Sequence, residues 1–317
     1  MSESNERVVV LAGGLAHERD VSLRSGRRVS EALRQAGFEV DQRDADMHLV
    51  PSLQADPPAC VVPLLHGEDG EDGALQEVLA LLDVPHVGSS AAACRLAFDK
   101  AVAKSVVAAV KVSTPDAMAL PAETFRELGA ASVMDAVVER LGLPIVVKPT
   151  RGGSALGVQV VHRREDLPSA MVGCFAYGPV ALVERFVEGT EVAVAVVDDD
   201  SGPRALPAVE IRPDGGVYDY SARYTAGATE FVVPAGLPQP LSKACADAAI
   251  AAHRALGLRD LSRSDLIIDD DGTVWFLEVN VSPGMTETSL VPLAVEADGT
   301  SLGEVCGGLV RRAIARG

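Results

Sequence analysis

Aromatic side chains are scarce in this chain. Phe, Trp and Tyr make up 4% of its 317 residues, with a single Trp, so Val, Leu, Ile and Ala must fill any core. Cationic residues are outnumbered: 28 Lys and Arg face 45 Asp and Glu, a formal net charge of −17. Such a surface repels phosphate backbones, and no basic run offsets it, so nucleic acid is not an expected partner. The five cysteines (Cys60, Cys94, Cys174, Cys245 and Cys306) lie far apart, with neither a CxxC nor a zinc spacing, and read as buried, reduced thiols. No apolar run approaches the roughly 18–20 residues that span a membrane. The polar, acidic start lacks the basic-then-apolar layout of a secretion signal. The expectation is a cytoplasmic chain with no membrane partner. Neither a GxxxxGK[ST] phosphate loop nor a GxGxxG dinucleotide fingerprint occurs.

What is present is an α/β pattern long enough for two or three domains. Residues 7–11 form an apolar β run ending in Ala12-Gly13-Gly14. Residues 22–36 have helical spacing (Leu23, Val29, Leu33) and stop at Gly37. Strands follow at 38–40, 59–65 and 84–87, with a helix over 73–82. This βαβ order predicts a small parallel-sheet domain over residues 1–88. A central unit over 89–183 holds an alanine-rich helical stretch (89–110), strands at 143–148 and 158–162, and a helix at 167–176. Its glycine-rich stretch spans 151–157. A third unit over 184–317 carries β runs at 191–197 and 205–211, helices at 241–256 and 302–315, and a final hairpin.

That hairpin is the strongest local signal. Two β runs, from Leu261 to Ile268 and from Thr273 to Asn280, flank Asp271-Gly272. Read as a two-residue loop, this turn sets Asp265 opposite Glu278 and Arg263 opposite Asn280, all on one face because side chains alternate. Val274, Phe276 and Ile267 join that face, while Leu266, Ile268, Trp275, Leu277 and Val279 form a core-like opposite face. Facing carboxylates repel unless something positive lies between them, and hard oxygen ligands at this density suit Mg²⁺ beside substrate phosphates. The alternative is a solvated face with an Arg–Asp pair.

Three further stretches carry chemistry less sharply. Lys148-Pro149 leaves a buried run and enters the loop Thr150-Arg151-Gly152-Gly153-Ser154-Ala155-Leu156-Gly157. Its glycines permit close approach of backbone N–H groups to phosphate, although an ordinary hairpin loop reads the same way. Glu184-Arg185-Phe186-Val187-Glu188-Gly189-Thr190-Glu191 places acids where they can bracket a nucleotide or simply face water. His66-Gly67-Glu68-Asp69-Gly70-Glu71 sits where a parallel strand hands over to a helix, a place where α/β sheets bind ligands. Gly13-Gly14 with Glu18 follows the first strand in the same way.

In chain order, these residues resemble a known family. His17-Glu18-Arg19-Asp20-Val21-Ser22-Leu23, Leu65-His66-Gly67, Glu71-Asp72-Gly73, Phe98-Asp99-Lys100 and Val147-Lys148-Pro149 come first. Tyr218-Asp219-Tyr220, Arg223-Tyr224 and Glu278-Val279-Asn280-Val281-Ser282-Pro283-Gly284-Met285-Thr286 complete the set, with Ser289-Leu290 after it. Together they resemble the D-alanine–D-alanine ligase family of ATP-grasp enzymes over nearly the whole chain. The resemblance implies a three-domain ATP-grasp architecture, with ATP held between the central and C-terminal domains. It implies that Lys100 and Lys148 bind phosphates, that Glu184, Arg185, Val187 and Glu191 with Phe276 surround adenine and ribose, and that Asp265, Glu278 and Asn280 hold two Mg²⁺ ions, for which Mn²⁺ can substitute. Glu18 would hold the first substrate's ammonium with His66 nearby, and Ser154 and Tyr224 would close over that substrate. Arg263 and the Gly284 N–H would stabilise an oxyanion, and Ser289 and Leu290 would meet the second substrate's carboxylate. A homodimer through the N-terminal domain is also implied.

Three positions depart from the family pattern: Arg223 and Arg185 replace lysines, and Ala155 replaces the second serine of the glycine loop. Arg spreads its charge over a planar fork, so these exchanges are not neutral. They keep open a related ligase joining other amino acids. A non-catalytic nucleotide-binding module is a third reading.

Overall fold

In the computed structural model, which describes residues 6–16, 18–214 and 227–317, the chain builds three sheets in sequence order. The first comprises β1 (Arg7–Leu11), β2 (Glu39–Arg43) and β3 (Cys60–Pro63), all parallel in the order β2-β1-β3. Around it lie α1 (Arg19–Gln35), α2 (Leu49–Ala55), α3 (Glu68–Glu71) and α4 (Ala74–Leu81). β1 shows why the fold starts here. Val8 and Val10 enter one core and Val9 and Leu11 another, the both-faces burial of a parallel strand. Of the strand expected at 84–87, only a single parallel bridge from His86 to Val61 forms.

Next come α5 (Ala91–Phe98) and α6 (Lys100–Ala109), then β4 (Ala117–Pro121), α7 (Ala122–Leu128) and α8 (Ala130–Leu141). β5 (Ile145–Pro149), β6 (Gln159–Val161), α9 (Leu167–Phe175) and β7 (Val180–Arg185) complete an antiparallel sheet ordered β4-β7-β5-β6. Sequence patterning left 111–142 unassigned. β4 is an edge strand, only partly buried and closed by a proline, so its apolar signal is weak.

The third sheet has six strands: β8 (Thr190–Asp199), β9 (Gly202–Ala205), β10 (Val209–Pro213), β11 (Thr229–Val232), β12 (Leu261–Ile268) and β13 (Val274–Asn280). α10 (Gln239–Ala255) precedes β12, and α11 (Leu290–Ala297) and α12 (Leu302–Arg316) end the chain. The single β run expected at 205–211 is thus two strands, β9 and β10. One face of this sheet shares a core with the first: Val8, Val10 and Leu33 pack with Ala193, Ile211 and Val310. The other face packs against α5, α6 and α10, through Val194, Leu266 and Phe276 with Ala103, Val107 and Ala249. α5 and α6, read with the central unit, therefore belong by packing to the third sheet. All five cysteines are free and buried, and burial pushes their thiols up to about 11 or 12, so they are inert filler. Among the described residues, no helix is long and apolar enough to cross a membrane.

The hairpin departs from expectation in an instructive way. Its loop is not the two residues Asp271-Gly272. Asp269 N donates to Thr273 O at 3.1 Å and Gly272 N to Asp269 O at 2.9 Å, so Ile268 pairs with Val274 and the loop is odd. An odd loop alone would turn Asp265 and Glu278 to opposite faces. A β-bulge corrects it: Leu266 pairs with Phe276, but Asp265 pairs with Glu278 and Arg263 with Asn280, leaving Leu277 as the extra residue. The bulge also reassigns β13. Phe276 is fully buried in the core beside Leu266, not on the site face, and Leu277 takes the cleft side instead. Trp275 is likewise not core: its Nε1 donates to Asp269 Oδ2 at 2.7 Å. Phe276→Ala should cost about 3–5 kcal/mol in urea denaturation, and Leu277→Ala no more than about 1 kcal/mol. The opposite ranking would return Phe276 to the cleft.

Candidate active site

Between the central and third sheets lies a cavity of about 520 Å³. Its walls are Val146 and Lys148 of β5, the glycine loop, the β7–β8 connection, β10, and Asp265, Ile267, Leu277 and Glu278 of the hairpin. Of the residues singled out from sequence, it gathers Lys100, Lys148, Glu184, Arg185, Val187, Glu191, Asp265 and Glu278. Phe276 is absent from the lining, for the reason given above. Gly189 holds the β7–β8 connection against the hairpin: a Cβ there would lie 2.1 Å from Ile268 O. Arg185 points along the rim, its guanidinium 5.0 Å from the centre of the Trp275 ring, a cation–π contact joining the two sheets.

Charge is arranged in buried pairs. Lys148 Nζ lies 2.5 Å from Glu184 Oε1, and Lys104 Nζ lies 2.9 Å from Glu184 Oε2. Burial opposes charge on Lys148, but Glu184 and Glu278 outweigh it and hold the ammonium above its usual pKa. Burial likewise opposes charge on Glu184, and the two lysines hold it below the usual carboxylate range. For Lys104 burial wins, lowering it to about 8. Lys100 starts α6, whose N-cap Asp99 accepts from Ala101 N and Val102 N; Lys100 Nζ reaches Gly152 O at 2.7 Å and Glu278 at 3.5 Å. Arg263 makes a two-pronged bond to Asp265, at 2.7 and 2.8 Å.

Several residues assigned to amino-acid substrates lie around the start of α1, outside the cavity lining. Ser154 Oγ donates to Glu18 Oε1 at 2.8 Å, linking the glycine loop to the start of α1. Ser154 and Ala155 both have φ near +55°, a left-handed conformation uncommon for residues with a Cβ. The Glu18 carboxylate lies against glycine: a Cβ on Gly67 would sit 3.0 Å from Oε2, and one on Gly153 3.3 Å from Oε1. His66 Nδ1 meets Ser282 O at 2.8 Å and Nε2 meets Ser25 Oγ at 3.3 Å, while Ser25 Oγ accepts from Met285 N at 3.0 Å. That pattern fits a neutral ring with its proton on Nδ1, and burial lowers its pKa accordingly. Asn280 Oδ1 accepts from Ser282 N at 2.9 Å, and Ser289 Oγ accepts from Thr286 N at 3.0 Å, so both brace the 281–289 turn. Gly284 sits against Ser289, where a Cβ would lie 2.8 Å from Oγ. The Leu290 side chain is buried in the core, so what it offers the cleft is backbone at the start of α11. His17, Arg223 and Tyr224, with the Tyr218–Tyr220 motif, lie outside the described residues.

Sequence reasoning missed Lys104, Ser25, Leu277 and the structural role of Glu71. Two had a usable signal: Lys104 is four residues beyond Lys100 on one helix, and Ser25 is three beyond Ser22, so each pair shares a helix face. Among the described residues no group of three or more His, Cys, Asp or Glu side chains is placed to hold a metal. Asp265 and Glu278, paired across the hairpin and lining the cavity, nonetheless match the one or two carboxylates by which Mg²⁺ is usually held beside phosphates.

A family model described as "D-ala D-ala ligase C-terminus" matches residues 106–311. The chain belongs to the D-alanine–D-alanine ligase family. Family relatives named D-alanine–D-alanine ligase include one from Anaeromyxobacter dehalogenans, 39% identical over 96% of this chain and 95% of its own length. Another, from Desulforudis audaxviator, is 40% identical over 98% and 99%. Among solved structures, a D-alanine–D-alanine ligase from Bacillus anthracis superposes with TM-score 0.84 at 28% identity, covering 98% of each chain. The VanG D-Ala:D-Ser ligase from Enterococcus faecalis gives the same TM-score at 26% identity, covering 98% of this chain and all of its own. The Bacillus anthracis enzyme complexed with ATP matches at 0.78 and 26% identity, over 98% of this chain and 97% of its own.

Glu71 gives a pH prediction. It is buried beneath the His66 loop, where its Oε1 accepts from Gly67 N at 2.8 Å, and burial raises its carboxyl from 4.5 to about 7. Between those values the folded chain keeps a proton that the unfolded chain has released. Stability from this group is therefore lost as pH rises from about 4.5 to 7. Glu71→Gln keeps the acceptor and should flatten that slope in urea melts taken across the range; an unchanged slope would exclude Glu71 as its source.

Proposed function

We infer that this chain ligates two D-alanine molecules at the expense of ATP, giving D-alanyl-D-alanine, ADP and phosphate for peptidoglycan precursor synthesis. The observation that carries this reading is the cavity itself. Lys100 and Lys148 line it together with the paired carboxylates Asp265 and Glu278, and Ser154, in the glycine loop that borders it, donates to Glu18.

The chemistry follows from the residues. ATP lies in the cavity with adenine and ribose along Glu184–Glu191 and phosphates toward Lys148 and Lys100. Phosphoryl transfer demands positioning and charge neutralisation more than covalent help. Asp265, Glu278 and Asn280 would hold Mg²⁺, which supplies neutralisation of charge on the phosphate oxygens when bound. Glu18 takes the ammonium of the first D-alanine, so that its carboxylate points at the γ-phosphate. Attack transfers the phosphoryl group to that carboxylate oxygen and releases ADP. The amine of the second D-alanine then attacks the acyl carbon. Its carboxylate is held at Ser289 and the N-terminus of α11. Arg263 and the Gly284 N–H stabilise the negative oxygen of the tetrahedral intermediate. Collapse expels phosphate and leaves the peptide bond, the amine having lost a proton. Tyr224 would close over the first substrate. The proposal includes a cytoplasmic homodimer joined through the N-terminal domain, a mass that sedimentation of the purified chain reads directly.

The likeness to the D-Ala:D-Ser enzyme motivates a second reading in which the second substrate is not D-alanine. A panel of D- and L-amino acids with ATP and Mg²⁺ separates the two by product mass. D-alanyl-D-alanine should dominate; preference for D-serine in the second position would replace the first reading with the second. In the same assay Asp265→Asn should lower kcat by about 10²–10³-fold, the scale on which preorganised charge stabilisation acts. Undiminished turnover would remove the hairpin from the chemistry.

A further inference from the structure

Lys104 is the one ammonium group of this region that does not line the cavity, among the described residues the cavity and its paired charges bring together. It stands one helical turn beyond Lys100 on α6 and is buried, 4% exposed. A buried lysine is costly unless it is paired and hydrogen-bonded. This one makes two contacts to different sheets: 2.9 Å to Glu184 Oε2 on β7, and 3.2 Å to Phe276 O on β13.

Both contacts bear on nucleotide binding. Glu184 is shared between two ammonium groups, since its other oxygen meets Lys148. Two lysines and one glutamate leave the array with net positive charge. A lone Lys148–Glu184 pair would be neutral. With Lys104 meeting the other oxygen, the three-group array presents net positive charge to a polyphosphate while Lys148 stays paired with Glu184. The second contact seals a sheet edge. β13 is the last strand of its sheet, and Phe276 turns its N–H and C=O outward. Ser113 O accepts the N–H at 2.8 Å and Lys104 takes the C=O. Phe276 directly precedes the bulge that turns Glu278 to the cavity.

We propose that Lys104 is a positioning residue for the nucleotide, sharing Glu184 with Lys148 and fixing the edge of β13 so that Lys148 and Glu278 face the cavity. The proposal rests on the ligase reading. Wild-type turnover of ATP with D-alanine tests that reading by itself, whereas nucleotide binding without amino acid tests Lys104 whichever amino acid is joined.

The test uses the full-length enzyme and Lys104→Met, which keeps length and removes charge. Calorimetric binding of ADP and of a non-hydrolysable ATP analogue should weaken at least tenfold. The KM for ATP should rise similarly, the KM for D-alanine should stay within twofold, and Lys104→Arg should recover most of the loss. A folded Lys104→Met protein with nucleotide affinity within twofold of wild type overturns the proposal. So do equal losses toward ATP and D-alanine, the mark of general loosening. If Lys104→Met does not fold, Lys104→Gln replaces it under the same criteria, because its amide can meet only one of the two contacts at a time and brings no charge.

Discussion

One extra residue in one edge strand sets the geometry on which this site depends. Leu277 is bulged out between Phe276 and Glu278, and the parity of β13 reverses there. On the loop side of the bulge, Phe276 faces inward with Leu266 and helps close the core under α6 and α10. On the other side, Glu278 faces Asp265 across the cleft wall, and Asn280 faces Arg263. Without the bulge an odd loop would bury one carboxylate of the pair in the apolar core, where an unpaired charge costs several kcal/mol. Neighbouring contacts converge on this point. Lys104 holds Phe276 O, Lys100 reaches Glu278, and Gly189 packs on the carbonyl of Ile268.

How much of this was legible in the sequence depended on the range of the signal. Strand period and turn composition are local, so the pairing of Asp265 with Glu278 and Arg263 with Asn280 could be read from alternating side chains. The loop length could not. Asp271-Gly272 fits a two-residue turn, but Asp269 organises a longer one by accepting from Asp271 N, Thr273 N and the Trp275 indole. Two errors, an odd loop and an unseen bulge, cancelled at the carboxylates and left their trace at Phe276 and Leu277. Nothing in Leu277 itself marks a bulge, since bulged positions are signalled most often by glycine. Residues 111–142 were silent because an exposed edge strand and two short helices carry little apolar periodicity. The chemistry around Glu18 and His66 is assembled by contacts between residues far apart in sequence, such as Ser25 with Met285 and Glu18 with Ser154. Resemblance to a family, not spacing, brought Glu18 and Ser154 together beforehand, and Ser25 was not foreseen.

The chain's acidity sharpens what the cavity must do. A protein of net charge −17 repels polyphosphate at long range. Binding such a ligand therefore falls to cations placed at short range. Here each is paired with an acid: Lys148 and Lys104 with Glu184, Lys100 with Glu278, Arg263 with Asp265. The arrangement stores positive charge in a buried place without leaving any of it unpaired before a ligand arrives.

The packing also dictates which parts can move. The first and third sheets share one continuous apolar core, so Glu18, His66 and the 281–289 turn are held together by burial as well as by the Ser25 and Ser282 hydrogen bonds. The central sheet closes its own separate core from Phe125, Ile145, Leu167 and Val183. Across the cleft its ties include Lys104–Glu184, Lys100–Gly152, Ser154–Glu18 and the Arg185–Trp275 stack, which are polar or cation–π contacts. Polar contacts can exchange partners with water or ligand at small net cost, whereas parting a shared apolar core cannot be compensated in that way. The seam between central and third sheets is therefore where opening costs least, and it is the seam that holds the cavity. The glycine loop, with Ser154 and Ala155 in left-handed conformations, lies on the movable side. Glu18, His66 and the 281–289 turn lie on the fixed side. A ligand large enough to contact both walls would exchange those polar ties for its own and draw the two sides together.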